Sequence, residues 1–275
     1  MKLSTLEVRD KVDLSDSMLL GVEGLEKRFG GILALTDYGI EIQKGELVGL
    51  IGPNGAGKTT VFNLVSGVLK STRGRVVFAG QDITHSRPDQ NARLGLARTF
   101  QNIRLFNELS VIDNIKVAFH MRTGEGLFQT LLNLPRYRNK EREMTRRALE
   151  LLELMELVDV KDEPAKNLPF GLQRKVEIVR ALATEPKLLL LDEPAAGMNI
   201  HETEGLIQTI GNIHQEYQLT IFLVEHDMKM VMEICERIQV LDGGRVLTTG
   251  DPEQIRNDPR VIEAYLGSRR EACDA

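Results

Sequence analysis

The sequence predicts an α/β fold with a mostly parallel sheet, an antiparallel β section near the N-terminus and an inserted helical subdomain. Short apolar runs alternate with helical segments from about residue 19 onward. Such runs are typical of strands covered on both faces, as in a parallel sheet with crossover helices. Residues 102–184 carry almost no strand signal and several helical ones. The apolar runs are residues 47–51, 76–79, 188–191, 221–224 and 238–241.

The other elements follow from their own patterns. Residues 34–42 have the pattern of a sheet with one face in water, which favours an antiparallel section. In residues 141–157 apolar side chains recur at helical spacing, with charged side chains on the opposite face. The predicted parts are an N-terminal extension at 1–18, an α/β core at 19–101 and 183–257, a helical subdomain at 102–182, and a C-terminal helix and tail at 258–275.

Composition narrows the class of protein. The chain has 275 residues, of which 42% are hydrophobic and 27% charged, and its net charge is −5. That is ordinary globular usage with room for a sizeable core, and it lacks the basic excess of a nucleic-acid-binding domain. The two cysteines are too far apart in the sequence for a disulfide framework. The sequence has no apolar run long enough to span a membrane and no pattern of a secretion signal. We therefore expect a soluble intracellular protein.

A P-loop pattern lies between a predicted strand, residues 46–51, and a predicted helix, residues 60–69. Two glycines separated by four residues precede Lys58 and Thr59. Glycines let backbone N–H groups close around phosphate oxygens at the positive end of the next helix. The lysine can reach the β- and γ-phosphates, and the threonine hydroxyl can ligate Mg²⁺. The residues predicted to bind the nucleotide are Asn54, Gly55, Ala56, Gly57, Lys58, Thr59 and Thr60.

Two carboxylates, Asp192 and Glu193, end the apolar run 188–191. In a parallel sheet the carboxyl ends of the strands gather at the ligand-binding edge. Asp192 could hold Mg²⁺ through water there, and Glu193 could orient or deprotonate an attacking water. His226 follows another apolar run and could contact the γ-phosphate. Taken alone, solvated acids or a single histidine at a strand end are common surface features, but with the P-loop they predict a hydrolytic site.

These motifs, in this order, resemble the ATP-binding subunits of ABC transporters, and the resemblance covers roughly residues 19–267. It implies an ABC ATPase fold on a P-loop NTPase core, with ATP and Mg²⁺ as cofactors. It also implies that Phe29 stacks on adenine, although a core anchor is the alternative role for this side chain. Gln101 would contact Mg²⁺ and the attacking water and link them to a membrane subunit. Residues 195–199 would form a loop that contacts a second ATPase.

Finer matches are similar to the ATPases of branched-chain amino acid importers; they lie at residues 28–31, 98–106, 192–197, 225–228, 250–255 and 264–267. One departure from the family concerns its signature, Leu-Ser-Gly-Gly-Gln, which completes the ATP site of the opposite subunit. Here the matching residues are 168–172, with Pro169 in place of serine and with Gly171 retained. Proline has no hydroxyl and no N–H to donate, although it suits a helix start. We therefore expect weaker closure on ATP than in a serine-containing relative.

The resemblance implies a function that needs several subunits. The chain is expected to bind and hydrolyse ATP and to power uptake of branched-chain or related amino acids through separate integral membrane permease subunits. Each ATP site would take the P-loop of one chain and Gly171 of another, so a homodimer or a pair with a related paralogue is required. A solute-binding protein is expected as an indirect partner, with no nucleic-acid partner. The expected location is cytoplasmic, peripheral on the inner face of the cell membrane.

Two other functions compete with this one. A non-transport ABC-type ATPase of translation or other nucleic-acid processes usually has two cassettes or a long coiled coil between the motifs, which this sequence lacks. Nucleic-acid-stimulated turnover would favour it. A small P-loop kinase would instead transfer phosphate to an acceptor, and phosphorylation of a small molecule would favour that function.

Overall fold

The computed structural model describes residues 17–123 and 135–265. The strands are β1 (Met18–Phe29), β2 (Ile32–Gln43), β3 (Leu47–Ile51), β4 (Arg73–Phe78), β5 (Gln81–Asp82), β6 (Leu96–Arg98), β7 (Leu188–Asp192), β8 (Thr220–Val224), β9 (Arg237–Asp242) and β10 (Arg245–Gly250). The helices are α1 (Lys58–Val65), α2 (Pro88–Leu94), α3 (Val111–Thr123), α4 (Pro135–Leu154), α5 (Phe170–Leu182), α6 (Ile200–Tyr217), α7 (Met228–Ile234) and α8 (Pro252–Asn257), and residues 259–265 are also helical.

The strands form two sheets of different character. One is antiparallel, with the strand order β2-β1-β4-β5, and it contains the predicted antiparallel stretch 34–42. The other has the order β10-β9-β3-β8-β7-β6 and is parallel except for β10 at its edge. Strands β3, β7 and β8 are buried throughout. The predicted α/β architecture with a mostly parallel sheet is confirmed.

The apolar run 76–79 is not part of the parallel sheet, so that assignment is wrong. Most of the run belongs to β4, which pairs antiparallel with β1. Val76 and Phe78 are buried while Val77 is only partly buried, so one face of the strand packs on the core. A run of four apolar residues cannot by itself separate a one-sided strand from one covered on both faces.

The six-stranded sheet separates two parts of the hydrophobic core. Alternate strand residues face opposite sides. Leu50, Leu190 and Phe222 pack against α1 and the antiparallel sheet, whereas Leu189 and Leu223 pack against helices that include α5 and α6. The catalytic candidates at the strand ends therefore stand on a sheet that is held from both faces.

Helices α3, α4 and α5 all lie between β6 and β7 in the chain, within the predicted helical subdomain. They share a buried core that includes Ile115, Leu152 and Val176. The proposed domain boundaries stay predictions, and most of residues 1–18 and 258–275 lie outside the described residues. Within 17–123 and 135–265, no helix has both the length and the apolar character needed to cross a membrane.

Candidate active site

Three neighbouring strands of the parallel sheet end in register, and the predicted motifs follow from these ends. Leu50 of β3 pairs with Val224 of β8, and Asp192 of β7 pairs with the same residue from the other side. Neighbouring strands are about 4.8 Å apart. The P-loop, the two carboxylates and His226 therefore leave the sheet at one edge, as the sequence predicts for strands of one direction.

The P-loop is shaped by close backbone packing. A Cβ on Gly52 would lie 2.0 Å from the carbonyl oxygen of Leu241, so this position requires glycine. The amide of Gly244, in the β9–β10 turn, donates to the carbonyl of Ala56 at 3.0 Å and anchors the loop from outside. A Cβ on Gly55 would meet nothing within 4 Å, and this residue is exposed. The loop thus has a packed inner side and an open outer side.

Lys58 points back into this loop. Its Nζ donates to the carbonyl oxygens of Gly52 at 2.6 Å and Pro53 at 3.0 Å. Burial lowers the pKa of the Lys58 ammonium, and the charge of Glu193 acts in the opposite direction. Their interaction joins the P-loop and the acidic motif in one site.

The start of α1 is suited to an anion. The helix begins after Gly57, which has φ 106°, without a side-chain cap and without an acidic residue in its first turn. Its positive end is therefore not neutralised by a carboxylate of that turn. Thr59 is exposed and Thr60 partly exposed, next to the exposed loop residue Asn54. This arrangement fits the phosphates of a nucleotide.

Asp192 is buried and paired with an arginine that the sequence analysis did not assign a role. Its Oδ2 accepts from Nη2 of Arg98 at 2.7 Å, and its backbone N–H donates to the hydroxyl of Thr99 at 3.2 Å. Arg98 and Asp192 are 94 positions apart in the sequence. No local spacing indicates this pair, because strand pairing between β6 and β7 creates it.

Glu193 and Gln101 lie together at the mouth of the site. The Nε2 of Gln101 donates to Oε2 of Glu193 at 2.9 Å. Glu193 has φ 48°, a left-handed conformation that is rare without glycine and often occurs at functional sites. Its backbone N–H still donates to the carbonyl of Val224 at 2.8 Å, so the turn begins directly at the end of the sheet. Two of the three predicted catalytic residues are therefore in contact.

His226, the third, is held through Glu225. The buried carboxylate of Glu225 accepts from the backbone N–H of Ala195 at 2.8 Å and of His226 at 3.1 Å. Burial raises the pKa of Glu225 above its ordinary value. The His226 side chain itself is 58% exposed and remains accessible to a ligand. Glu225 thus ties together the segments that follow β7 and β8. The sequence holds one signal for Glu225, its position directly after the apolar run 221–224.

Arg174 connects α5 to the segment that carries Gln101. Its Nη1 donates to the carbonyl of Phe100 at 2.6 Å, and its Nη2 donates to that of Gln101 at 2.7 Å. Arg174 also forms a buried ion pair with Glu177, 2.8 Å long, and Glu177 accepts from the backbone N–H of Arg104. Burial raises the pKa of Glu177. The contacts of Arg174 with residues 100 and 101 have no local signal in the sequence, because 74 and 73 positions separate the partners.

Two predicted nucleotide-binding residues stand apart from this cluster. Phe29 is half-exposed where β1 ends, and the Lys27 ammonium lies 5.1 Å from the centroid of its ring. Gly171 is buried in the first turn of α5, where a Cβ would come within 2.8 Å of Oε1 of Glu202 in α6. Its described neighbour is thus α6 of the same chain rather than the P-loop.

The predicted metal ligands fit a weakly caged cation. The described part of the chain holds no group of three or more His, Cys, Asp or Glu arranged around a metal position. Mg²⁺ commonly keeps several waters and binds one or two carboxylates together with substrate phosphates. Thr59, Gln101 and Asp192 supply only oxygen ligands at this edge, which agrees with that mode.

Comparison with known proteins identifies the family. A family model described as "ABC transporter" matches residues 35–196. The chain belongs to the ABC transporter family. As an ABC transporter ATPase it is the ATP-hydrolysing, nucleotide-binding subunit, which confirms the predicted family and enzyme class. A second family model, "Branched-chain amino acid ATP-binding cassette transporter", matches residues 245–271.

This ABC ATPase has similar relatives in sequence and structure. It is 47% identical over 249 residues to the high-affinity branched-chain amino acid transport ATP-binding protein LivG of Escherichia coli K12, covering 90% of this chain and 98% of LivG. The structure of the ADP conformation of an ATP-binding cassette of an ABC transporter superposes with a TM-score of 0.78 at 31% identity, covering 91% of this chain and 99% of the other.

A third comparison is with a dimer. The dimeric post-hydrolysis structure of an ATP-binding cassette bound to ADP and Pi has a TM-score of 0.73 at 25% identity and covers 85% of this chain and 99% of the other. LivG and the cassette in the ADP conformation are described as transport proteins, so the non-transport alternative for this ABC ATPase is not favoured.

Proposed function

We propose that this chain binds ATP and Mg²⁺ at the carboxyl edge of its parallel sheet and hydrolyses the ATP to power uptake of branched-chain or related amino acids. The observation that carries the proposal is the register of Leu50, Val224 and Asp192, which gathers the three motifs at one edge. The amino acid class is supported by the similarity to LivG.

The P-loop residues would hold the triphosphate. Lys58 would exchange the carbonyls of Gly52 and Pro53 for phosphate oxygens, and the open amides around Gly55 and Thr60 would surround the β-phosphate. Phe29 would stack on the adenine from the end of β1. The pKa of Lys58 is lowered by burial, so a phosphate that restores charge compensation would favour its ammonium form.

The residues at the other strand ends would act on the water. Mg²⁺, held by Thr59, Asp192 and Gln101, would when bound neutralise charge that develops on the phosphate oxygens. Gln101 fixes one oxygen of Glu193 and leaves the other to accept the proton of an attacking water. His226, whose side chain is exposed after β8, would donate to the γ-phosphate.

A second ATPase chain would complete each site through its Gly171. The related cassette structure is a dimer. Around Gly171 this chain exposes apolar side chains, Phe170 and Ile200, the latter 73% exposed. The ring of Phe170 packs on Gly197, within the loop that resembles the dimer-contacting loop of the family. Exposed apolar side chains beside this loop support a protein partner here.

A membrane subunit would dock on the cleft between α3, α5 and the sheet. The cleft has a volume of about 360 Å³ and is lined by residues that include Val68, Phe100, Phe106 and Arg180. Val68 and Phe106 are exposed at its rim. An apolar cleft with a few charged groups suits a short cytoplasmic segment of an integral membrane subunit. The chain would thus be peripheral on the inner face of the cell membrane, with a solute-binding protein as indirect partner.

The substitution Glu193→Gln tests the chemistry. It removes the proton acceptor but keeps the shape of the side chain, so we expect turnover to fall at least about 100-fold while ATP affinity stays within about twofold. The ATP-bound dimer should accumulate in size-exclusion chromatography. The matched control is Glu216→Gln, an exposed glutamate in the last turn of α6 that precedes β8 and does not follow the carboxyl end of a strand, which should hydrolyse ATP normally.

The outcomes separate the parts of the proposal. Normal turnover of the Glu193 variant would remove this residue from the catalytic role. Failure of the unaltered chain to bind ATP, with a folded circular dichroism spectrum, would reject the site. ATP hydrolysis that is unaffected by reconstitution with the membrane subunits and branched-chain amino acids would reject the transport assignment.

A further inference from the structure

Arg98 is among the most constrained charged side chains near the site. Its side chain is 6% exposed, and that of its ion-pair partner Asp192 is 3% exposed. The guanidinium lies 5.6 Å from the ring centroid of Phe62 and 5.0 Å from that of Phe100. A charge at this depth needs several partners to offset its loss of water.

Those partners come from different elements. While Nη2 binds the carboxylate of Asp192, Nη1 donates to Oδ1 of Asn63 and to Oγ of Ser66, both at 2.8 Å. Asn63 lies in α1, the helix that starts at the P-loop lysine, and Ser66 caps the end of that helix. Arg98 therefore joins α1, β6 and the end of β7 through one planar group.

We propose that Arg98 is a positioning residue that holds the carboxylate of Asp192 in the orientation needed for the hydrated Mg²⁺ of the nucleotide complex. The proposal rests on the proposed function. Arg98 takes one carboxylate oxygen and leaves the other available. It touches neither the nucleotide nor the reacting atoms, and it acts only through Asp192.

The geometry explains why arginine is required. The flat guanidinium directs donors at fixed angles, so one side chain can bind Asp192 and α1 at the same time. A carboxylate fixed in advance does not lose rotational freedom when the cation binds. Outer-shell partners of this kind commonly change metal affinity by about 10- to 100-fold.

The test measures Mg²⁺ dependence of nucleotide binding rather than turnover. The full chain and its variants are titrated with the fluorescent probe trinitrophenyl-ATP in EDTA, and then with MgCl₂ at fixed probe. For Arg98→Met we expect the half-saturating Mg²⁺ concentration to rise about tenfold, with a smaller rise for Arg98→Lys. For Asn63→Ala, which removes one of the two bonds from the guanidinium to α1 and its cap and keeps the ion pair, we expect a rise of about threefold.

The matched control is Arg104→Met. Arg104 stacks on the same Phe100 ring, 4.2 Å from its centroid, but is exposed. Its removal should leave the Mg²⁺ requirement unchanged. An unchanged or lower requirement in Arg98→Met would overturn the proposal. Should that variant not fold, unchanged requirements in both Arg98→Lys and Asn63→Ala would overturn it.

The affinity for the probe in EDTA distinguishes failure of the positioning role from failure of the proposed function. If the unaltered chain binds the probe in EDTA and responds to Mg²⁺ but the variants respond equally, the positioning role fails and the proposed function stands. If the unaltered chain does not bind the probe at all, the proposed function fails together with the inference.

Discussion

Pro169 occupies the position at which the family has a serine, directly before α5. Its φ is −53° and its ψ is 151°, and it provides no side-chain cap to the helix. A proline has its φ set for this place, but it leaves the first-turn amides without a side-chain acceptor. The structure thus explains why proline is tolerated at this position. The position lacks the hydroxyl that would otherwise meet a phosphate of the ATP bound to a partner chain.

Pro169→Ser should therefore affect association more than folding. A serine cap contributes about 1 kcal/mol, and loss of a proline costs about 0.4–1 kcal/mol through the unfolded chain, so the free energy of unfolding should change little. The new hydroxyl should strengthen ATP-driven dimerisation, measured by analytical ultracentrifugation in the Glu193→Gln background. Pro169→Ala, without a hydroxyl, is the control. Equal dimerisation of the serine and proline forms would show that the hydroxyl has no role in closure.

At single residues, the sequence predicts contacts that depend on local spacing and misses those that depend on tertiary pairing. Lys58 could be assigned because its motif lies within eight positions of chain. The contact of Arg98 with Asp192 and that of Arg174 with Gln101 could not, because 94 and 73 positions separate these partners. A buried arginine has no local signal, since its charge alone is typical of a surface residue.

Among the elements, the segments after β7 and β8 behave as one unit because Glu225 bonds to both. Burial raises the pKa of this carboxyl, so the ionised form is disfavoured in the folded chain. In the unfolded chain its pKa is about 4.3. The favourable contribution of Glu225 is therefore complete below that value and is lost as pH rises through the raised folded pKa.

This linkage predicts a pH-dependent difference between the unaltered chain and Glu225→Gln. The glutamine does not titrate, and its amide can replace only one of the two accepting oxygens. We expect the excess in melting temperature of the unaltered chain over the variant to be largest at the lowest pH at which both stay folded, and to shrink as pH rises. Thermal unfolding followed by circular dichroism measures it. A difference that grows with pH would mean that the ionised carboxylate is the stabilising form.

Among the short apolar runs, the predictions were right where burial is uniform and wrong for residues 76–79, where it is one-sided. Residues 47–51 and 188–191 are apolar throughout and are strands buried on both faces. Residues 76–79 are also apolar, but most of them belong to a strand that pairs antiparallel with β1. Nothing in their own sequence indicates that partner. Short apolar runs carry no information about partner strands.

For the whole molecule, the separation of Gly171 from the P-loop of the same chain has a kinetic consequence. If each site is completed by a second chain, the purified protein should show a specific ATPase activity that rises with protein concentration. The activity should fall on dilution through about a hundredfold range as dimers dissociate. Constant specific activity over that range, with a monomeric mass, would contradict a shared site.

The clamp made by Arg174 has a mechanical consequence for the whole chain. Because Arg174 of α5 binds the backbone carbonyls of residues 100 and 101, a rotation of the helical segment should move Gln101 with it. The 2.9 Å distance between Nε2 of Gln101 and Oε2 of Glu193 would then change with that rotation. A tilt of this segment by a docked membrane subunit would open or close the gap between the Gln101 amide and the Glu193 carboxylate.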